Sequence, residues 1–189
     1  MKGLSQLKIE QYRGIVNLYI SELNRINLVI GDNNCGKTSV LEALQLLRTS
    51  GDLANIYRIA RQRESLSIMN SISLFESFLC MFPKNNNDLM EISVSGTYDD
   101  QPIDFSIHGG IYKVLLDVKE IYNRINRAQE FPRGEIETDV FDGTIDLTYG
   151  KYAAHNQISV NTYSRITDAQ KLNKDVFKII YVKIHSDSV

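Results

Sequence analysis

A chain of 189 residues, 43% hydrophobic and 23% charged, has the make-up of one ordinary soluble domain, which excludes a disordered or fibrous protein. Its 21 Lys and Arg against 23 Asp and Glu leave a formal charge of -2, so any contact with nucleic acid or an anionic membrane must be local. No run of about 18 apolar residues occurs and the start, MKGLSQLKIEQY, lacks an apolar signal core, while Cys35 and Cys80 suit neither a disulfide framework nor a zinc site, so a reducing, cytoplasmic setting without a membrane span is expected.

Residues 4–12 and 16–20 alternate in part and read as strands joined by a turn at Arg13 and Gly14. The run INLVI at 26–30 is apolar almost throughout, which predicts a strand covered on both faces, as in a central sheet. Over 38–48, Val40, Leu41, Leu44 and Leu47 repeat at helical period. Gly51 then suits a helix end and Asp52 the cap of a second helix, with Leu53, Ile56, Tyr57 and Ala60 as its buried side. A third helix is expected over 67–82, where Ile68, Ile72, Phe75 and Leu79 share a face and Pro83 stops it, followed by a surface loop over 84–88.

From Leu89 the period becomes two: Ile92, Val94 and Tyr98, then Ile103, Phe105 and Ile107 after a turn at 99–102, predict a hairpin. Residues 112–127 fit a strand start at VLLDV or an amphipathic helix, and the helix is preferred. Asp142 and Gly143 supply the positive φ angles of a tight turn between IETDVF and TIDLTY, predicting a second hairpin. Strands over 157–163 and 177–184 complete the pattern.

One motif carries chemistry. Gly31, Asp32, Asn33, Asn34, Cys35, Gly36, Lys37 and Thr38 satisfy G-x-x-x-x-G-K-[ST] at every fixed position, between a strand and a helix as that phosphate-binding loop requires. Small residues let successive backbone N–H groups turn inward, and the helix beginning near Lys37 adds the positive end of its dipole. Lys37 would bridge the β and γ phosphates, the Thr38 hydroxyl would hold Mg²⁺, and Ser39 would add a hydroxyl toward the α phosphate. Cys35 reads either as a tolerated loop residue or as a thiol tuned by the helix N-terminus.

The stretch LKIEQYRGIVNLYISELNRINLVIGDNNCGKTSVLEALQLL resembles the opening of RecF-type and OLD-type AAA ATPases, the ABC-like group that includes bacterial anti-phage and DNA-repair ATPases. The shared features, over residues 1–50, are the Arg-Gly after the first strand, Asn33 at the third place of the loop, and the loop's nearness to the N-terminus. This resemblance implies an α/β P-loop NTPase lobe of ABC-like type with an added antiparallel β-hairpin arm, binding ATP and Mg²⁺. It places Arg13 near the nucleotide; a turn residue in solvent is the other reading. The expected division is a P-loop core over 1–50, a helical segment over 51–83, and a β-rich arm with a returning strand over 88–184, all within one ATP-binding lobe.

Hydrolysis in that group needs a carboxylate pair ending an apolar strand, a Gln loop, a serine-glycine signature and a late His. The nearest carboxylate match, Val114 to Asp117, continues with Val118 rather than Glu, so catalytic residues stay unassigned, and Asp117 and Glu120 stand as the first acids to test. The expectation is a lobe incomplete at its C-terminus, forming part of a longer ATPase or completed by another chain. A GTPase is disfavoured because no D-x-x-G occurs and Asn173-Lys174-Asp175 is followed by Val176; a small-molecule kinase lacks its arginine-rich lid. The alternative from another class is a nucleotide-gated docking module that holds ATP and forms a homodimer or engages a companion nuclease or effector. Arg58, Arg61 and Arg63 could touch DNA or an acidic partner, or form a solvated face. His108, His155 and His185 show no metal-ligand spacing.

Overall fold

The structure is a computed structural model that describes residues 3–49, 52–63, 72–84, 90–118 and 134–164. Strands β1 (Leu4–Tyr12) and β2 (Ile15–Ile20) form the expected hairpin, with Arg13 at the turn in the left-handed region (φ 53°). Helices α1 (Lys37–Thr49), α2 (Leu53–Arg61) and α3 (Leu74–Leu79) follow, and then the long strands β3 (Met90–Tyr98), β4 (Gln101–Asp117), β5 (Glu135–Tyr149) and β6 (Tyr152–Asn161). All six strands join one antiparallel sheet in the order β2-β1-β3-β4-β5-β6. The first hairpin thus continues directly into the later strands through β1 and β3.

Register explains the core. Ile9 faces Val94, Val94 faces Phe105, Phe105 faces Leu147 and Leu147 faces Ala154, so one sheet face is a continuous apolar row. The opposite face carries the alternate polar residues, among them Lys8, Ser95, Asp104 and Thr148. The three helices supply the rest of the same core. In α1 the buried line is Val40, Ala43, Leu46 and Leu47; Leu41, expected on it, is 52% exposed. Leu41 sits one residue, about 100° of helix rotation, away from Val40, which turns it outward.

The side chain of Asp52 caps α2 by accepting from the Ala54 N–H at 2.9 Å, and Leu53, Ile56, Tyr57 and Ala60 are buried as expected. Helix α3 opens with a capping box in which the Ser73 hydroxyl and the Glu76 carboxylate each take the other residue's backbone N–H. It begins at Leu74 rather than 67; residues 67–71 lie outside the described set, as do 85–88 of the expected loop and the strand over 177–184. Phe78 anchors the helices to the sheet, meeting Tyr57, Phe82 and Phe141 edge-on with centroids 5.2–6.1 Å apart. Burial of each such ring is worth about 1.5–3 kcal/mol.

Residues 26–30 are not a strand covered on both faces: they run as irregular backbone, with Ile26, Leu28 and Ile30 at least 79% exposed. Apolar composition alone cannot make a strand without a neighbour to pair with, and the described sheet ends on this side at β2. Residues 112–117, preferred as helix, continue β4 and pair with 135–140 of β5, so cross-strand pairing decides a segment whose local pattern fits both.

Asp142 and Gly143, expected at a hairpin turn, make none. Both lie inside β5, where Gly143 pairs with Gly109 of β4. A Cβ at Gly143 would stand 2.3 Å from the His108 carbonyl and 2.9 Å from the Phe141 ring, and one at Gly109 would stand 2.8 Å from the same ring. The two glycines let the strands approach and leave Phe141 its place in the core. The β3–β4 turn is made by Asp99 and Asp100, both at positive φ, and Pro102 already lies in β4; the β5–β6 turn falls at Gly150 and Lys151. The strand expected over 157–163 is the second half of β6 and ends at Asn161.

Candidate functional site

The glycine loop lies between the exposed segment 26–30 and the first turn of α1, with Gly31, Asp32, Asn33, Asn34 and Cys35 all exposed. Gly36 takes φ 94° and Asn34 φ 63°, values that curl the loop back on itself; Gly36 packs near Ile15 of β2. A Cβ at Gly31, whose φ is 155°, would stand 2.7 Å from the Cys35 Sγ, so a side chain there would strain the backbone and displace the thiol. The Lys37 ammonium is drawn over the loop, donating to the carbonyls of Gly31 (2.8 Å) and Asp32 (2.6 Å) with Cys35 Sγ at 3.8 Å. Its three-donor charge is thus held over the loop by short contacts to uncharged carbonyls.

Thr38 is exposed on the first turn of α1, whereas Ser39 is buried and its hydroxyl accepts from Arg63 Nη2 at 2.8 Å. That oxygen keeps its own O–H to donate. The donor set therefore fits a Mg²⁺-bearing polyphosphate: a glycine cradle, a helix N-terminus, one mobile ammonium and a free-standing hydroxyl suited to a hard cation.

Behind the loop helix stands a charge cluster that sequence reasoning missed. Glu42 is on the buried face of α1, its side chain 2% exposed, and its Oε2 accepts from Arg13 Nε at 2.7 Å and from the Tyr12 hydroxyl at 3.0 Å. Its other oxygen accepts from Arg63 Nε at 2.8 Å. Arg13 is therefore not a turn residue in solvent: its side chain is only 9% exposed, and its Nη1 also donates to the Cys80 carbonyl. Burial opposes the Arg13 charge, but Tyr12 and Glu42 outweigh it and raise its affinity for the proton. Burial likewise pushes the Tyr12 phenol far above its ordinary range. The one available signal was an acidic residue placed on an otherwise apolar helix stripe between Val40 and Leu46.

The three arginines grouped in the sequence part company. Arg63 braces α1 through Glu42 and Ser39, Arg61 donates to the Ile72 carbonyl, and Arg58 stays exposed with its Nη1 on Asn55 Oδ1 at 2.5 Å. Asp117 ends β4 opposite Glu135, and Glu120 lies outside the described residues. His108 and His155 converge on Asp146 from neighbouring strands, His108 at 3.3 Å. Among the described residues no cluster of three or more His, Cys, Asp or Glu suits a metal ion. Cys35 and Cys80 are free thiols.

Comparison with known proteins adds lineage to this geometry. The family model described as the AAA ATPase domain matches residues 1–187. An uncharacterized protein, MJECL10, from Methanocaldococcus jannaschii is 30% identical over 97 residues, covering 48% of this chain and 40% of that protein. The DNA replication and repair protein RecF of Saccharophagus degradans is 45% identical over 47 residues, covering 25% of this chain and 13% of that protein. The matches thus span less than half the length of either relative. No solved structure matches the chain. Among the described residues no helix is long and apolar enough to cross a membrane.

Proposed function

The chain belongs to the AAA ATPase domain family, and from that premise we propose that it binds Mg-ATP through Gly31, Asp32, Asn33, Asn34, Cys35, Gly36, Lys37, Thr38 and Ser39. The observation that carries the reading is Lys37, whose ammonium hangs over a glycine-closed loop at the start of α1. On ATP binding this ammonium exchanges two neutral carbonyls for anionic phosphate oxygens, which adds charge–charge attraction to bonds that are already charge-assisted. Mg²⁺ held by Thr38 would neutralise charge on the β and γ phosphates. Arg13 acts from behind, fixing α1 through Glu42, and so sets the angle at which the loop presents its N–H groups.

The same reading makes the chain a RecF-like or OLD-like lobe, working in a reducing cytoplasm and coupling its nucleotide state to a DNA-acting or defence effector, as a homodimer or with a companion nuclease. Turnover by this chain alone is expected to be negligible, since Asp117 is followed by Val118 rather than by the Glu of an Asp-Glu pair that would orient an attacking water. Displacement of a fluorescent ATP analogue by ATP and by GTP tests the base assignment. Equal or better displacement by ATP is expected, and a tenfold preference for GTP would overturn it.

A further inference from the structure

Between α1 and α2 runs an open groove of about 440 Å³. Gln45 and Arg48 line it from α1, and Asn55, Arg58, Ile59 and Gln62 line it from α2 and its C-cap. The spacing explains the convergence: Asn55, Arg58, Ile59 and Gln62 fall at i, i+3, i+4 and i+7, one face of one helix. Among the described residues that line it there is no Asp or Glu. Asp52, three residues before Asn55, is spent on capping α2. Arg48 and Arg58 are exposed, and Asn55 holds one nitrogen of Arg58, leaving the rest of its fork available.

We propose that this groove binds the phosphodiester backbone of nucleic acid, with Arg48 and Arg58 as the paired cations and Gln45 and Asn55 as neutral donors. The proposal rests on the DNA-facing part of the reading above and changes its residues: Arg61 and Arg63, grouped with Arg58 by sequence, already donate to partners within the chain, Arg61 to the Ile72 carbonyl and Arg63 to Glu42 and Ser39. Guanidinium and amide N–H groups both donate to phosphate and sugar oxygens, the contacts that position a nucleic-acid backbone. An acidic protein partner would need an apolar anchor at the centre of its interface, and among the described residues that line the groove the only apolar one is Ile59, itself 6% exposed. With a net charge of -2 the chain has no general attraction for a polyanion, so this groove must provide it locally.

Fluorescence anisotropy of a labelled duplex oligonucleotide, titrated with the purified full chain over a series of salt concentrations, tests the assignment. The Arg48→Ala, Arg58→Ala double variant is expected to bind about tenfold more weakly or worse, and to lower the slope of log affinity on log salt by about two. The double Lys variant at the same positions should retain the slope, because each Lys still neutralises a phosphate. Calorimetry with Mg-ATP on the same preparations reports folding and the nucleotide reading separately. If the wild type binds DNA and the double Ala variant binds it equally, the groove assignment falls while the DNA-facing reading stands. If the wild type binds no DNA, both fall. Displacement of the labelled DNA by polyglutamate as readily as by unlabelled duplex would overturn the choice of ligand in favour of an acidic protein.

Discussion

The guanidinium of Arg13, in the first turn of the chain, is tied to the carboxylate of Glu42 in the middle of α1 by an Nε–Oε2 bond of 2.7 Å, with both side chains at least nine-tenths buried. The pair joins the β1–β2 hairpin to the helix that carries the glycine loop, so the loop's orientation is set by a buried ion pair as well as by apolar packing. Breaking such a pair leaves one charge stranded in a poorly polarisable interior. Glu42→Ala is therefore expected to destabilise the fold by about 3–5 kcal/mol in urea titrations. Arg63, whose side chain is 44% exposed, reaches the same carboxylate from the rim, and Arg63→Ala should remove at most about 1 kcal/mol. Equal losses for the two variants would contradict this division of roles.

Tyr12 adds a pH dependence. Its phenol is buried beside Glu42 and its proton affinity is raised from an ordinary pKa of 10.0. A group raised on folding contributes fully below its unfolded pKa and loses that contribution as pH climbs above it. Stability should thus hold up to about pH 9 and fall from about pH 10 upward. Tyr12→Phe should lower stability at neutral pH by about 1 kcal/mol and flatten part of the alkaline fall. Thermal melts of both proteins from neutral to alkaline pH measure the difference; parallel profiles would contradict it.

Two backbone positions give opposite outcomes. Asp100 holds φ 60° in the β3–β4 turn, where glycine pays no steric penalty, so Asp100→Gly should raise stability by about 0.5–1 kcal/mol. Gly143→Ala would drive a methyl group against the His108 carbonyl and the Phe141 ring and should lower stability by about 1–3 kcal/mol. Urea midpoints for the two variants on opposite sides of the wild type are the expected result. A neutral Gly143→Ala would mean that the glycine pair is not what seats Phe141.

What local chemistry determines was legible in the sequence, and what depends on distant residues was not. Asp52 capping α2, the alternation of Ile92 and Val94, and the order of glycine loop and helix follow from neighbours within a few residues. The Asp142-Gly143 pair has the letters of a tight turn, yet its role is set by Gly109 and Phe141 packing across two strands. Residues 26–30 have strand composition, but a strand exists only with a partner. At the site, the motif located the loop and Lys37, while the Arg63–Ser39 contact, 24 residues apart in sequence, and the Glu42 cluster needed three elements brought together.

Isothermal titration of the full chain with Mg-ATP, beside Lys37→Ala, tests whether Lys37 and its loop hold Mg-ATP. Removing the ammonium withdraws the charge poised over the β and γ phosphates and should weaken binding by about 2–4 kcal/mol without altering the melting profile, because Lys37 touches only loop carbonyls and the Cys35 sulfur. Saturable binding by the wild type that is lost or strongly weakened in the variant is the predicted result. No heat of binding in the wild type, or equal affinity in the two proteins, would contradict it.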